Sequence, residues 1–396
     1  MPRSQGRIRT THAGTLPKSP ELAAMVAAKA TNAPNMAPAG AAPVDEATFQ
    51  RRLRQEVADA VRRQAEIGID SVNDGELSKI TFMHYCFERI SGFEVRDWKP
   101  GMPVPLSINV RDMVKFREYF EGGHGGFAVA GPPKTVALCT GPLKYVGQDA
   151  LRRDIDNFKA AIAAVKVEDA FLPANTPGTL EHALRNVYYR SDADYLEALA
   201  DVLHVEYKAI TDAGFSLQLD DPDLPDGWCI YPEMKVGDYR KYAALRIEAL
   251  NHALRDIPRE QIRLHVCWGS FHGPHQDDIP LKEIVDLIFS VKASSYSIEA
   301  SNPAHEHEWQ VFETAKLPDG ADLIPGVIGH ATDFIEHPEL VAQRLGRYAK
   351  LVGRENVMAG TDCGIGTRVK HPKIAWAKLA AMVEGARLAS KQLWGG

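Results

Sequence analysis

The sequence predicts an α/β chain folded as a TIM barrel of eight β–α units, with elaborated loops and an inserted hairpin or lid. Three observations point there. Short apolar runs alternate with longer helical patterns along nearly all 396 residues, the rhythm of parallel strands joined by crossover helices. Nine runs qualify as strands, and one suits an inserted hairpin, which leaves eight. No glycine-rich dinucleotide fingerprint follows the first strand, which counts against a doubly wound open sheet.

The elements follow in order. Residues 7–16 read as a first strand ending at Gly14-Thr15-Leu16-Pro17. Segment 24–44 is rich in Ala, Pro and Asn without a clear period, and reads as a surface loop. A charged helix over 45–67 leads to a second strand, whose end carries Asn73-Asp74-Gly75-Glu76. Residues 80–130 are irregular, aromatic and glycine-rich, as an insertion is. The apolar run 135–140, closed by Gly141-Pro142, is the candidate for the hairpin. A helix over 149–165 precedes a strand at 169–172, stopped by Thr176-Pro177-Gly178. An amphipathic helix over 192–213 ends at Gly214, a C-terminal signal. Further strands are expected at 215–219, 263–267, 295–299, 323–328 and 357–360. A single domain over 1–396 accounts for all of them.

Composition narrows the function classes. The 46 Lys and Arg mix with 52 Asp and Glu, for a net charge of −6, so nothing suggests a nucleic-acid partner. No run of about 18 apolar residues suggests a membrane span. The first residues lack the apolar stretch of a signal peptide, so a cytoplasmic protein is expected. Five widely spaced cysteines make a poor disulfide framework and suit a reducing compartment. Cys86 and Cys139 lie in aromatic and apolar surroundings and are expected as small buried hydrophobes.

The chemistry sits at the strand ends. Glu76, Asp220-Asp221, His265, Cys267, Glu299, His330 and Asp362-Cys363 all fall at or just past the C-terminal end of an expected strand. In a barrel those ends ring one mouth, where active sites form. His265 and Cys267 are two apart, so both side chains point to one face of their strand. Alone, the pair reads as ordinary core residues. With acids and a second thiol on the other strand ends, it reads as half of a zinc site. Cys363 is a third ligand candidate, and Glu299 a fourth that could hold the open position. His272, His275, His305 and His307 are expected as solvent-facing loop residues, and His12 as a residue of the mouth.

These motifs together resemble the cobalamin-independent methionine synthase family, in its catalytic C-terminal barrel and core type. The resemblance runs through Gly14-Thr15-Leu16-Pro17, Asp74-Gly75-Glu76, Gln218-Leu219-Asp220-Asp221-Pro222, His265-Val266-Cys267, Ser297-Ile298-Glu299, Gly326-Val327-Ile328, Asp362-Cys363-Gly364 and Thr367-Arg368. It implies zinc held by His265, Cys267, Glu299 and Cys363. It also implies that Glu76 and Asp220 meet the amino group of homocysteine, and that Gly14 and Thr15 meet its carboxylate. Thr15 stands where Ser is usual. The family's proton donor is a histidine shortly after the Gly-Val strand, and His330 lies one position early for that role.

The expected activity is therefore zinc-dependent methyl or alkyl transfer to a thiol, from a donor the sequence does not name. Related short enzymes of the epoxyalkane:coenzyme M transferase type open an epoxide instead. A zinc hydrolase or lyase is a further alternative, and a binding protein with a degenerate site is the non-enzymatic one. Elaborated aromatic loops leave a homodimer open.

Overall fold

The computed structural model describes residues 4–30, 44–103, 109–124, 133–269 and 271–395. Its strands are β1 (Arg9–Thr10), β2 (Ser71–Val72), β3 (Ile90–Asp97), β4 (Thr135–Tyr145), β5 (Asp169–Asn175) and β6 (Leu184–Asn186), followed by β7 (Ser216–Asp220), β8 (Ile262–Val266), β9 (Ser295–Ile298), β10 (Asp322–Ile328) and β11 (Met358–Thr361). Eight of them pair in parallel in the order β1-β11-β10-β9-β8-β7-β5-β2. The sheet curls until its edges nearly meet, and the Asp70 N–H donates to the Thr10 carbonyl at 3.1 Å. This is the eight-stranded TIM barrel expected from the sequence.

The strand predicted over 7–16 is only two residues of paired β1. The chain beyond it turns in to form part of the mouth. Segment 24–44 is corrected in part: Pro20–Lys29 is helical. Ser19 caps it by accepting from the Leu22 N–H, Pro20 sits in its first turn, and alanine carries the rest. Residues 31–43 lie outside the described chain. The charged helix appears as Glu46–Ile67, capped by Asp45 and closed by Gly68 at φ 91°.

The ninth run is the hairpin. β4 pairs antiparallel with β3 and parallel with β6, in a separate three-stranded sheet. Gly141-Pro142 does not stop β4, which continues to Tyr145. The pairing slips between Ser91 and Phe93, where one residue of β3 faces several of β4. Gly92 makes the bulge possible. Its φ is 101°, and a Cβ there would stand 2.4 Å from the Pro142 carbonyl oxygen.

The base of the hairpin is anchored to the helices around the barrel. Glu206, on the helix Asp192–Asp212, accepts from the hydroxyls of Tyr85 and Tyr145 at 2.8 Å each and from Arg89 at 3.2 Å. Arg89 also bonds Asp154 on the helix Gln148–Ile162. A buried guanidinium shared between two carboxylates is held in place by the cost of unpairing any of them.

Inside the barrel the filling is partly polar. Arg263, fully buried, donates to Thr11 Oγ1 and to the His12 carbonyl at 2.9 Å each, and lies over the Phe171 ring. It therefore ties β8 to the chain leaving β1. His12 is buried rather than open to the mouth. Its Nε2 meets Gln64 and its Nδ1 accepts from the Gly14 N–H, while burial pushes its pKa down to about 4. Among the described residues no helix is long and apolar enough to cross a membrane.

Candidate functional site

The turns at the mouth are knitted to one another before any functional side chain is placed. The Leu16 N–H donates to the Gly75 carbonyl, joining the turn after β1 to the turn after β2. The Gly366 N–H donates to the Thr15 carbonyl, bringing the turn that carries Cys363 onto the same spot. Gly14 has φ 126°, and a Cβ there would lie 2.5 Å from Glu76 Oε1. Glycine is needed at that position both for the backbone and for the approach of the carboxylate.

His265 and Cys267 leave β8 on one face, and Cys363 follows β11. Their ligand atoms lie within 4.8 Å of one another. His265 Nδ1 is engaged by Ser297 Oγ at 3.0 Å, which orients the ring from the next strand. Its Nε2 is buried without a hydrogen-bond partner. The Cys267 and Cys363 sulfurs are 3.7 Å apart. Two thiolates on one tetrahedral zinc, with bonds of about 2.3 Å, stand about 3.8 Å apart. The donor set, its spacing and the orphaned nitrogen fit a soft divalent metal.

The electrostatics set one thiolate apart. The hydrogen bond from Cys267, against the cost of burial, and the nearby His265 and His330 imidazoles hold the Cys363 thiol well below its usual pKa. The same contact with Cys363, together with burial, pushes Cys267 up. A low-pKa sulfur beside an imidazole is ready to act as a metal ligand.

Glu299 and His330 form an adjoining group. Glu299, His330 and Asp362 offer ligand atoms within 4.8 Å of one another, all three residues buried. Glu299 Oε2 accepts from the Trp268 N–H at 2.8 Å and Oε1 from Asn302 at 2.9 Å. Asp362 accepts from the N–H groups of Ala300 and Ser301 and from the Ser301 hydroxyl. Burial, then the charge of Glu299, push Asp362 up to about 6. Neither ring nitrogen of His330 has a partner, although the residue is 2 % exposed.

Glu76 and Asp220 complete the mouth. Glu76 Oε1 accepts from the Thr15 hydroxyl at 2.9 Å, while Oε2 lacks a hydrogen bond and lies 3.8 Å from Lys79 Nζ. Asp220 Oδ1 accepts from Gln218 Nε2 at 2.7 Å, and the same amide reaches the Ala13 carbonyl at 2.8 Å. Burial, then the charge of Glu76, push Asp220 up to about 8. Two acids converging in a dry site favour a cation between them.

The expectation for the later histidines divides. His272 and His307 are exposed. His275 and His305 are not, and both close on Asp278. His275 Nδ1 is 2.7 Å and His305 Nε2 is 2.9 Å from Asp278 Oδ2. Burial opposes a charge on His305, but its bonds to Asp278 and Glu308 outweigh that and push it up to about 10. Sequence reasoning also passed over Ser297, Asn302 and Gln218, which orient His265, Glu299 and Asp220. Ser297 was within reach, since it shares the inward face of β9 with Glu299.

Comparisons with known proteins agree with this frame. The family described as "Cobalamin-independent synthase, Catalytic domain" matches residues 181–388. A methionine synthase of Thermococcus kodakarensis is 22% identical over 88% of this chain and 86% of its own length. A 2-hydroxypropyl-CoM lyase of Xanthobacter autotrophicus is also 22% identical, over 88% of each chain. Among solved structures, the B12-independent methionine synthase of Shewanella sp. W3-18-1, in complex with selenomethionine, superposes with a TM-score of 0.71. It is 19% identical, over 98% of this chain and 100% of that one. At that identity the superposition speaks for the fold.

Proposed function

The chain belongs to the cobalamin-independent synthase family, matching its catalytic domain, and from that premise we propose that it transfers a methyl or alkyl group to the sulfur of a small amino thiol such as homocysteine. The observation that carries the reading is the 3.7 Å sulfur pair with the unpartnered His265 Nε2 beside it. His265, Cys267 and Cys363 would hold zinc, with Glu299 as the fourth group that yields to an arriving substrate. What the bound ion supplies is a lowered thiol pKa, so that the acceptor reacts as a thiolate near neutral pH.

The chain's own residues do the rest. Glu76 and Asp220 take the acceptor's ammonium, and the Gly14-Thr15 turn its carboxylate, so the sulfur is aimed at the ligand cluster. An S–C bond forms as the bond from carbon to the leaving group breaks. His330, with neither nitrogen engaged, hands its N–H proton to the departing atom as general acid.

The test compares acceptors. Homocysteine should be alkylated and should release about one proton per chain on binding the zinc-loaded protein. A sulfonate thiol such as 2-mercaptoethanesulfonate lacks the amine and should react poorly. If it is preferred, with an epoxide as donor, the epoxide-opening reading replaces this one. Turnover independent of any added thiol would point to hydrolysis or elimination and overturn both.

A further inference from the structure

His275, Asp278, His305 and Glu308 form a continuous buried chain beside the sulfur cluster. It runs from the Phe271 carbonyl through His275, Asp278 and His305 to Glu308, whose other oxygen accepts from the Leu281 N–H at 2.6 Å. The chain is not a second metal site. Two nitrogen or oxygen ligands on one tetrahedral zinc stand about 3.3 Å apart, from bonds of 2.0–2.1 Å. The separations here, 2.7 and 2.9 Å, are hydrogen bonds. Both nitrogens of His305 face carboxylate oxygens, so both carry protons. Two imidazolium and two carboxylate groups then balance one another without a cation.

Its purpose follows from what it touches. The His305 ring stacks on the Trp268 indole, with centroids 4.1 Å apart and planes at 24°. The indole N–H donates to the Ile279 carbonyl at 2.8 Å, within the loop that the chain braces. The backbone N–H of Trp268, the residue after Cys267, donates to Glu299 Oε2 at 2.8 Å.

We propose that His305 is a positioning residue: clamped between Asp278 and Glu308, it fixes Trp268, and through the Trp268 N–H it sets where the Glu299 carboxylate stands beside the sulfur cluster. This rests on the reading of Glu299 as a group that reaches the metal. Residues that orient metal ligands govern affinity nearly as strongly as the ligands themselves.

The test is zinc affinity by competition with a chromophoric chelator, with tryptophan emission recorded on the same samples. His305→Gln alters no ligand, yet should weaken zinc binding about tenfold or more. Its emission should rise, because an imidazolium in contact with indole quenches it, and that rise should vanish in a Trp268→Phe background. Should His305→Gln fail to fold, Glu308→Gln, which keeps the shape but leaves one acceptor oxygen for both the His305 Nδ1–H and the Leu281 N–H, carries the same measurement with a smaller shift. Unchanged affinity in a folded variant overturns the positioning role alone. A wild-type chain that binds no zinc overturns the metal reading beneath it.

Discussion

Two clusters of buried histidine rise from neighbouring strand ends of one barrel, and they are completed in opposite ways. In the His275–Asp278–His305 cluster every ring nitrogen meets an acceptor, and protons hold the charges together. In the His265–Cys267–Cys363 cluster the outer ring nitrogen meets none, and the sulfurs stand at the spacing of two ligands on one ion. Both groups bring titratable side chains within 4.8 Å. Proximity alone therefore does not separate a metal site from a structural one. Satisfaction of the hydrogen-bonding atoms does, because a buried polar atom left unpaired is costly unless something else completes it.

The comparison can be sharpened by asking each group for its own signature. His330 should show the largest effect on turnover. Replacing it with Asn removes the proposed proton donor and should lower kcat about 10²–10⁴-fold, with zinc content unchanged. A His330→Asn enzyme with normal kcat would remove it from the chemistry.

The charge-balanced cluster should answer in stability instead. Asp278 is held down to about 2: burial alone would raise it, but its bonds to His275 and His305 prevail. Asp278→Asn leaves two buried imidazoliums short of a partner and should cost about 3–5 kcal/mol in denaturant unfolding. A neutral result there would mean the cluster does not carry the charges assigned to it.

Smaller effects are expected at the acceptor end. Glu76→Gln keeps an acceptor for the Thr15 hydroxyl but loses the charge proposed to meet the acceptor's ammonium. The KM for homocysteine should rise about 10–100-fold, while a thiol without an amine is unaffected. Equal losses for both thiols would contradict that role.

Asp220 gives a pH dependence of definite sign. Its folded pKa of about 8 lies above the ordinary 3.8. Below about pH 4 both states hold the proton and nothing depends on pH. Between there and pH 8 the folded chain keeps a proton that the unfolded chain has lost, so stability falls as pH rises. In the metal-free protein Asp220→Asn should raise Tm at pH 8 and leave it unchanged at pH 4. The reverse pattern would mean that Asp220 is ionised in the fold.

The barrel and the mouth were legible in the sequence for one reason. Chemistry-bearing residues follow the strand ends, and strand ends can be read from apolar runs. His265, Cys267 and Cys363 meet because β8 and β11 deliver them to the same rim, as the spacing implied. Other features were closed to that reasoning. β1 and β2 are held by their neighbours rather than by strand-like runs of their own, so residues 7–16 overstated a strand of two. The helix Pro20–Lys29 was hidden in a composition that resembles a loop. The burial of His275 and His305 depends on Trp268 and Asp278 closing over them, which no local pattern records.

The most direct measurement is zinc content of three folded proteins, read by elemental analysis after exhaustive dialysis. The wild-type chain should retain about one zinc, Cys363→Ser essentially none, and Asp278→Asn, which removes no ligand, about one, held more weakly. A folded, metal-free wild type, or zinc that is lost with Asp278 and kept without Cys363, would contradict the assignment of the two clusters.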